Sequence, residues 1–325
     1  MRRIVLFLVK AALTALLIYF AVRSVNLQTV TERVAEIDAA WLVLVIAVLI
    51  AQIGVQAVRW QQIVQAARFP LAAAAAARLS FIAAFFNQTL PSTIGGDAAR
   101  IWMLAQGYKA GWRIATYSVF VDRAIGVFAL ALLVSFCLPW TYAFVQDSVA
   151  RLAVTLVGVA GLAGGMVFAA LSLFSDTRIE RLWGVHHLIA ASMVLRQVAR
   201  PARRLAFVAV CSMLIHLATV FASWSMAKAI GAPVGFLLMT CLIPPVVLIA
   251  TVPITIAGWG LRESLMVTAF TLAGLNASDA LTISLLLGAA NFAVGLIGGG
   301  LWVASRLRFK AMGAEPEAAI SYERR

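Results

Sequence analysis

Charge is what this sequence has least of. Asp, Glu, Lys and Arg make up only 12% of the 325 residues, about half the roughly 25% usual in soluble domains. The hydrophobic share is 63% and the mean hydropathy is +0.97, which excludes an ordinary soluble fold, because apolar runs long enough to cross a bilayer recur along the chain. Acids are scarcer still: 13 against 26 Lys and Arg, for a net charge of +13. A nucleic-acid-binding protein would gather its cations on one solvated face. Here they cluster between apolar runs, as in cytoplasmic loops beside anionic lipid, so no nucleic-acid partner is expected. Cysteine is limited to Cys137, Cys211 and Cys241, all inside apolar segments and odd in number. That excludes a disulfide framework and a cysteine metal set. The three histidines, His186, His187 and His216, lack metal-ligand spacing; His216, alone in a span, reads as hydrogen-bonded packing. There is no P-loop and no serine nucleophile set beside a histidine and a carboxylate. The expectation is therefore no enzyme, no cofactor and no metal.

What the chain does have is six clear apolar spans, at about 4–22, 41–58, 114–138, 151–174, 205–229 and 280–304. The basic, apolar opening reads as a retained first span rather than a cleaved leader. Arg2, Arg3 and Lys10 place the N-terminus in the cytoplasm, the acidic loop with Glu32, Glu36 and Asp38 goes outside, and Arg59, Arg68 and Arg78 return inside. The loop with Arg178, Arg181, Arg196, Arg200, Arg203 and Arg204 is cytoplasmic, as are Arg306, Arg308 and Lys310 after the last span. These placements are consistent only if 71–108 and 236–274 each enter and leave on one side. The expected architecture is thus an all-α polytopic membrane protein with about six spans and two opposed re-entrant hairpins arranged as an inverted repeat. The whole chain, 1–325, is one transmembrane domain. Its first half is 1–138 with the hairpin at 71–108, its second is 151–304 with the hairpin at 236–274, and 305–325 is a cytoplasmic tail. Between the first two spans of each half lies an apolar stripe at helical spacing: Leu27, Val30, Val34, Ile37 and Trp41, then Val185, Leu188, Ile189, Leu195 and Val198. Each predicts a helix lying on a membrane face.

Both hairpin tips carry one motif. "LPSTIGGDAAR" at 90–100 and "VPITIAGWGLR" at 252–262 share proline, threonine, isoleucine, the second glycine and arginine in register. Lipid cannot hydrogen-bond free backbone, so such breaks persist only inside protein or beside water. Pro91 and Pro253 end the inbound helices. Gly95, Gly96, Gly258 and Gly260 allow tight turning or close approach of a ligand. The N-termini of the outbound helices then offer free N–H groups to an anion such as phosphate, with Arg100 and Arg262 in their first turns as bidentate donors. Asp97, Asp122, Arg123 and Glu263 supply further charge, either to a headgroup site or to a network of salt bridges that locks the hairpins. Asn87 and Asn291 are supporting candidates that could bond a hairpin backbone or reach a cavity. The run "GLIGGG" at 295–300 reads as close helix packing.

These residues resemble the transmembrane, flippase-like domain family of lysylphosphatidylglycerol synthases. "LPSTIGGDAARIWML" is similar to that family's LP-x-x-x-G-[ED]-x-x-R signature, "FVDRAIG" at 120–126 to its acidic-Arg pattern, and "PITIAGWGLRES" at 253–264 to its Gly-x-Gly-x-Arg-Glu pattern. Asp97 and Asp122 stand where that family more often has glutamate, and Gly126 near where it often has another acid. The lysyl-transferring activity belongs to a soluble domain for which the tail after Leu307 is too short. The resemblance implies a lipid flippase or transporter in a bacterial-type inner (plasma) membrane, both termini cytoplasmic, moving a phospholipid, aminoacyl-phospholipid, glycolipid or isoprenoid-linked lipid. The implied partners are membrane lipids and a separately encoded lipid-synthesising enzyme. The alternatives are a partner that presents lipid without moving it, and an intramembrane lipid-modifying enzyme.

Overall fold

The computed structural model describes residues 2–23, 25–90, 94–174, 184–252, 254–255 and 258–311, with side chains between 12 and 305. Every regular element among them is helical. The first part of the chain forms α1 (Arg2–Arg23), α2 (Leu27–Ala35), α3 (Ala39–Ala66), α4 (Ala73–Thr89), α5 (Gly95–Trp102) and α6 (Trp112–Phe144). The second forms α7 (Ser148–Ala170), α8 (Val185–Ala199), α9 (Ala202–Ala229), α10 (Phe236–Ala250), α11 (Leu261–Leu272) and α12 (Ala277–Ala311). Five helices are long and apolar enough to cross a membrane: Ala39–Ala66, Trp112–Phe144, Ser148–Phe174, Ala202–Ala229 and Ala277–Ser305. A sixth candidate joins Ala12–Arg23 to α2 across an 85° bend. The chain is an all-helical, multi-pass membrane protein.

Short polar side chains set the starts of several elements. Asn26 accepts from the backbone of Gln28 and Thr29 at the start of α2, Asp38 from Ala40 at α3, and Asp147 from Ala150 at α7. Such caps satisfy N–H groups that a helix start leaves open, each worth about 0.5–2 kcal/mol. Both expected hairpin regions fold as broken helices. α4 stops at Thr89 and α5 resumes at Gly95, running into a π-helical turn at Met103–Gly107; α10 stops at Ala250 and α11 resumes at Leu261. Pro91 and Pro253, assigned the breaking role, lie outside the described residues.

The packing has a regular pattern. α3 and α9 lie against each other, and the Gln52 amide donates to Ile215 O and Thr219 Oγ1. α4 packs on α3 and α12, while α10 packs on α9 and α6. α5 packs on α6, and α11 on α12. Exchanging the first six elements for the last six leaves these pairings unchanged. α1 and α7 break the pattern, since α1 lies on α11 whereas α7 lies on α6.

One expectation changes. Arg59, counted as a loop cation, is a buried residue of α3, which runs eight residues past the expected span end at 58 to Ala66. α8, expected on a membrane face, buries Ile189, and its Ala191, Val194 and Val198 cluster with Ile63, Ala66, Val121 and Val208 of α3, α6 and α9. Of the expected stripe, Ile189 and Val198 are buried, Val185 and Leu195 are half-buried, and Leu188 is exposed. α2 buries no residue. The glycine run packs as expected: a Cβ on Gly298 would lie 1.8 Å from Phe81 O, and one on Gly299 3.0 Å from the Phe85 ring. α12 therefore meets α4 nearly backbone to backbone.

Candidate functional site

The first motif copy builds a charge cluster from three helices. On α5, Gly96 is pressed so close to α4 that a Cβ would sit 2.0 Å from Ala83 O, and its N–H donates to Asn87 Oδ1 at 2.9 Å. Gly95 is also confined, with Leu90 Cβ 2.6 Å from where its own would be. This packing aims Asp97 and Arg100 at α6. Arg100 Nη2 donates to Asp97 Oδ1 at 3.1 Å and to Asp122 Oδ2 at 3.2 Å, and its guanidinium carbon lies 4.6 Å from the Trp60 ring centroid. Arg59 Nε reaches Asp122 Oδ1 at 3.0 Å, and Arg59 Nη1 reaches Ser212 Oγ at 3.1 Å. Arg123 Nε donates to Asp97 Oδ2. Arg59, Asp97, Arg100 and Asp122 are all buried, but the Arg123 side chain is 45% exposed. Charge at membrane depth is tolerated only when paired or wet. Four of these five groups are buried and paired, and the fifth, Arg123, is paired but exposed.

The second copy builds a smaller cluster. Gly258 and Gly260 have φ of +81° and +83°, conformations that glycine adopts without the usual Cβ penalty. Gly260 N–H donates to Glu263 Oε2 at 2.7 Å, and a Cβ there would meet Thr14 O of α1 at 2.8 Å. Arg262 Nη2 lies 2.6 Å from Glu263 Oε1, its Nε donates to Ser284 Oγ at 3.0 Å, and that hydroxyl donates to Glu263 Oε1 at 3.1 Å. The Arg262 guanidinium lies 5.2 Å from the Trp259 ring centroid. Glu263 is buried, and the Arg262 side chain is 25% exposed. Arg100 reaches forward 22 residues to Asp122, and Arg262 reaches forward 22 residues to Ser284. The two arginines thus find their acceptors at one register, and each has a tryptophan against it.

The structure refines the expected roles. At each helix start one N–H is bonded within the protein, Gly96 N–H to Asn87 and Gly260 N–H to Glu263. Arg100 falls in the second turn of α5 and is only 1% exposed, while Arg262 is in the first turn of α11. Asn291 donates to Leu287 O of its own helix. His216 bonds Gly126 O at 2.9 Å, as its packing role requires. Sequence reasoning missed Arg59, Trp60, Ser212, Trp259 and Ser284 as members. The 22-residue spacing, applied to the second arginine, would have found Ser284. Among the described residues no His, Cys, Asp and Glu grouping could hold a metal ion.

Long apolar helices, with two shorter helix pairs broken beside buried ion clusters, define a multi-pass membrane domain. The chain belongs to the family described as lysylphosphatidylglycerol synthase TM region, which matches residues 7–299. No curated protein and no solved structure matches it.

Proposed function

We propose that the protein moves a lipid with a polar headgroup across an inner membrane. The observation that carries this reading is the pair of partly exposed guanidiniums, Arg123 and Arg262, each held by a buried carboxylate at a break between helices. Arg33 on the buried Asp279 is open to a similar degree, but of these three only Arg123 and Arg262 pair with the acid of a motif copy, whereas Arg59 and Arg100 are buried. A fork left open can instead pair with a headgroup oxygen. The two broken-helix units would face opposite sides as inverted repeats and exchange access by moving against the long spans. The loop charges favour cytoplasmic termini.

The test is reconstitution into liposomes with fluorescent phospholipids and an impermeant quencher. Protein that moves lipid exposes the inner-leaflet probe to quenching beyond the outer-leaflet fraction, and Arg123→Gln and Arg262→Gln slow it. Quenching confined to the outer leaflet for every lipid class refutes transport, and favours a protein that presents lipid to an enzyme. A change in lipid mass would instead show an enzyme.

A further inference from the structure

We propose that the two clusters are unequal, and that Arg123 docks a headgroup carrying one net negative charge in the form of a phosphodiester. The inference rests on the lipid-transport reading and names its substrate class. In the first cluster, three guanidiniums (Arg59, Arg100 and Arg123) meet two carboxylates (Asp97 and Asp122), which leaves one positive charge over. In the second, Arg262 meets Glu263 and nothing is left over. The excess falls on the outermost member. Arg59 and Arg100 are buried against Asp122 and Asp97, while Arg123 gives only its Nε to Asp97 and keeps both Nη groups for another acceptor.

Depth makes this excess consequential. Arg123 follows Trp112 by eleven residues on α6, or about 16 Å at 1.5 Å per residue. Trp112 is exposed and its type favours the membrane interface, which sets Arg123 near the middle of a hydrocarbon layer of roughly 30 Å. An uncompensated charge there costs at least about 2.5–3.5 kcal/mol on insertion scales, and an anion on the free Nη groups compensates the one positive charge by which the cluster exceeds its carboxylates. The two Nη groups match two non-bridging oxygens of a phosphate. Asp97 on the Nε side disfavours a second negative charge, so a monoanionic phosphodiester fits better than a dianionic phosphomonoester. A zwitterionic headgroup brings no net charge and leaves the excess in place. The chemistry is shared by a lipid headgroup and free inorganic phosphate, and the test separates them.

The experiment measures binding of short-chain phosphatidylglycerol, phosphatidylcholine and diacylglycerol to the purified protein in neutral detergent at 0.15 and 0.5 M salt, concentrations chosen because surface attraction is screened within about 8 Å or less there. The expected result is at least tenfold tighter binding of phosphatidylglycerol than of phosphatidylcholine, with a ratio near one in Arg123→Gln. Arg123→Lys, which keeps the charge and loses the fork, should fall between. Arg113→Gln, an exposed cation at the start of the same helix, serves as the control and should keep the native ratio. Competition by millimolar inorganic phosphate, without a preference among the lipids, would make free phosphate the ligand and overturn the lipid assignment. Equal binding of the two phospholipids in the native protein, or an equal fall of the ratio in Arg113→Gln, overturns the proposal. Binding and liposome transport are separate readouts. Protein that moves lipid without this preference refutes the inference alone, and protein that shows the preference but moves nothing refutes the transport reading alone.

Discussion

Asp122→Asn tests the claim that the first cluster holds the fold as well as facing a ligand. Asp122 is 1% exposed and accepts from Arg59 Nε at 3.0 Å and Arg100 Nη2 at 3.2 Å. Asparagine keeps one acceptor oxygen and turns an NH₂ toward two guanidiniums. The cluster then holds three positive charges against one negative. Hydrogen bonds to charged groups contribute roughly 1.5–3 kcal/mol each, and removing one partner of a buried ion pair costs about 3–5 kcal/mol. The expected loss is therefore about 3–5 kcal/mol. At roughly 2.1 cal/mol/K per residue the unfolding entropy of 325 residues is about 0.7 kcal/mol/K, so the detergent-solubilised variant should melt roughly 4–7 °C lower. Arg123→Gln is the matched comparison. It removes a 45% exposed side chain and leaves Asp97 paired with Arg100 and Asp122 paired with both Arg59 and Arg100, so its loss should be smaller than that of Asp122→Asn. Tryptophan-monitored melting with size-exclusion profiles reads both. If Asp122→Asn melts with the native protein while Arg123→Gln falls, the division into a buried frame and an open fork is wrong.

Two further outcomes follow from geometry. Gly96→Ala, whose Cβ would lie 2.0 Å from Ala83 O, should fail to give monodisperse protein. Gly111→Ala removes a positive-φ glycine with nothing within 4 Å of its Cβ and should cost only backbone strain; equal behaviour of the two would refute the close-packing account. For orientation, single cysteines at Gln106 and Asn276, both exposed, are placed in a chain freed of Cys137, Cys211 and Cys241. They should react with an impermeant thiol reagent from opposite sides of the membrane, and labelling from one side only would refute the inverted arrangement.

The sequence disclosed the broken helices because proline, glycine and charge are costly inside an apolar run, so their presence there is informative by itself. It was silent on Arg59 for the opposite reason. An arginine at the end of an apolar stretch looks like any loop cation, and only Asp122 and Ser212, 63 and 153 residues away, make it a buried member of the cluster. Ser284 was hidden because serine is unremarked in a membrane helix and its role depends on Glu263 and Arg262 meeting it. The stripe on α8 was legible as a helix, but periodicity cannot tell a groove in protein from a lipid surface. Arg100 and Arg123 are both arginines beside an acid. Their burial, which separates frame from fork, comes from packing.

The pairing of α4 with α12 and of α10 with α6 has a mechanical consequence. α12 carries Ser284, an acceptor for Arg262, yet it is pressed against α4, whose continuation carries Arg100. α6 carries Asp122, an acceptor for Arg100, yet it packs on α10, whose continuation carries Arg262. Each long helix therefore grips the ion cluster of one broken unit and the shaft of the other, like the two blades of a pair of shears crossing at a pivot. A displacement of either unit that carried its long helix along would move an acceptor away from the other unit's arginine.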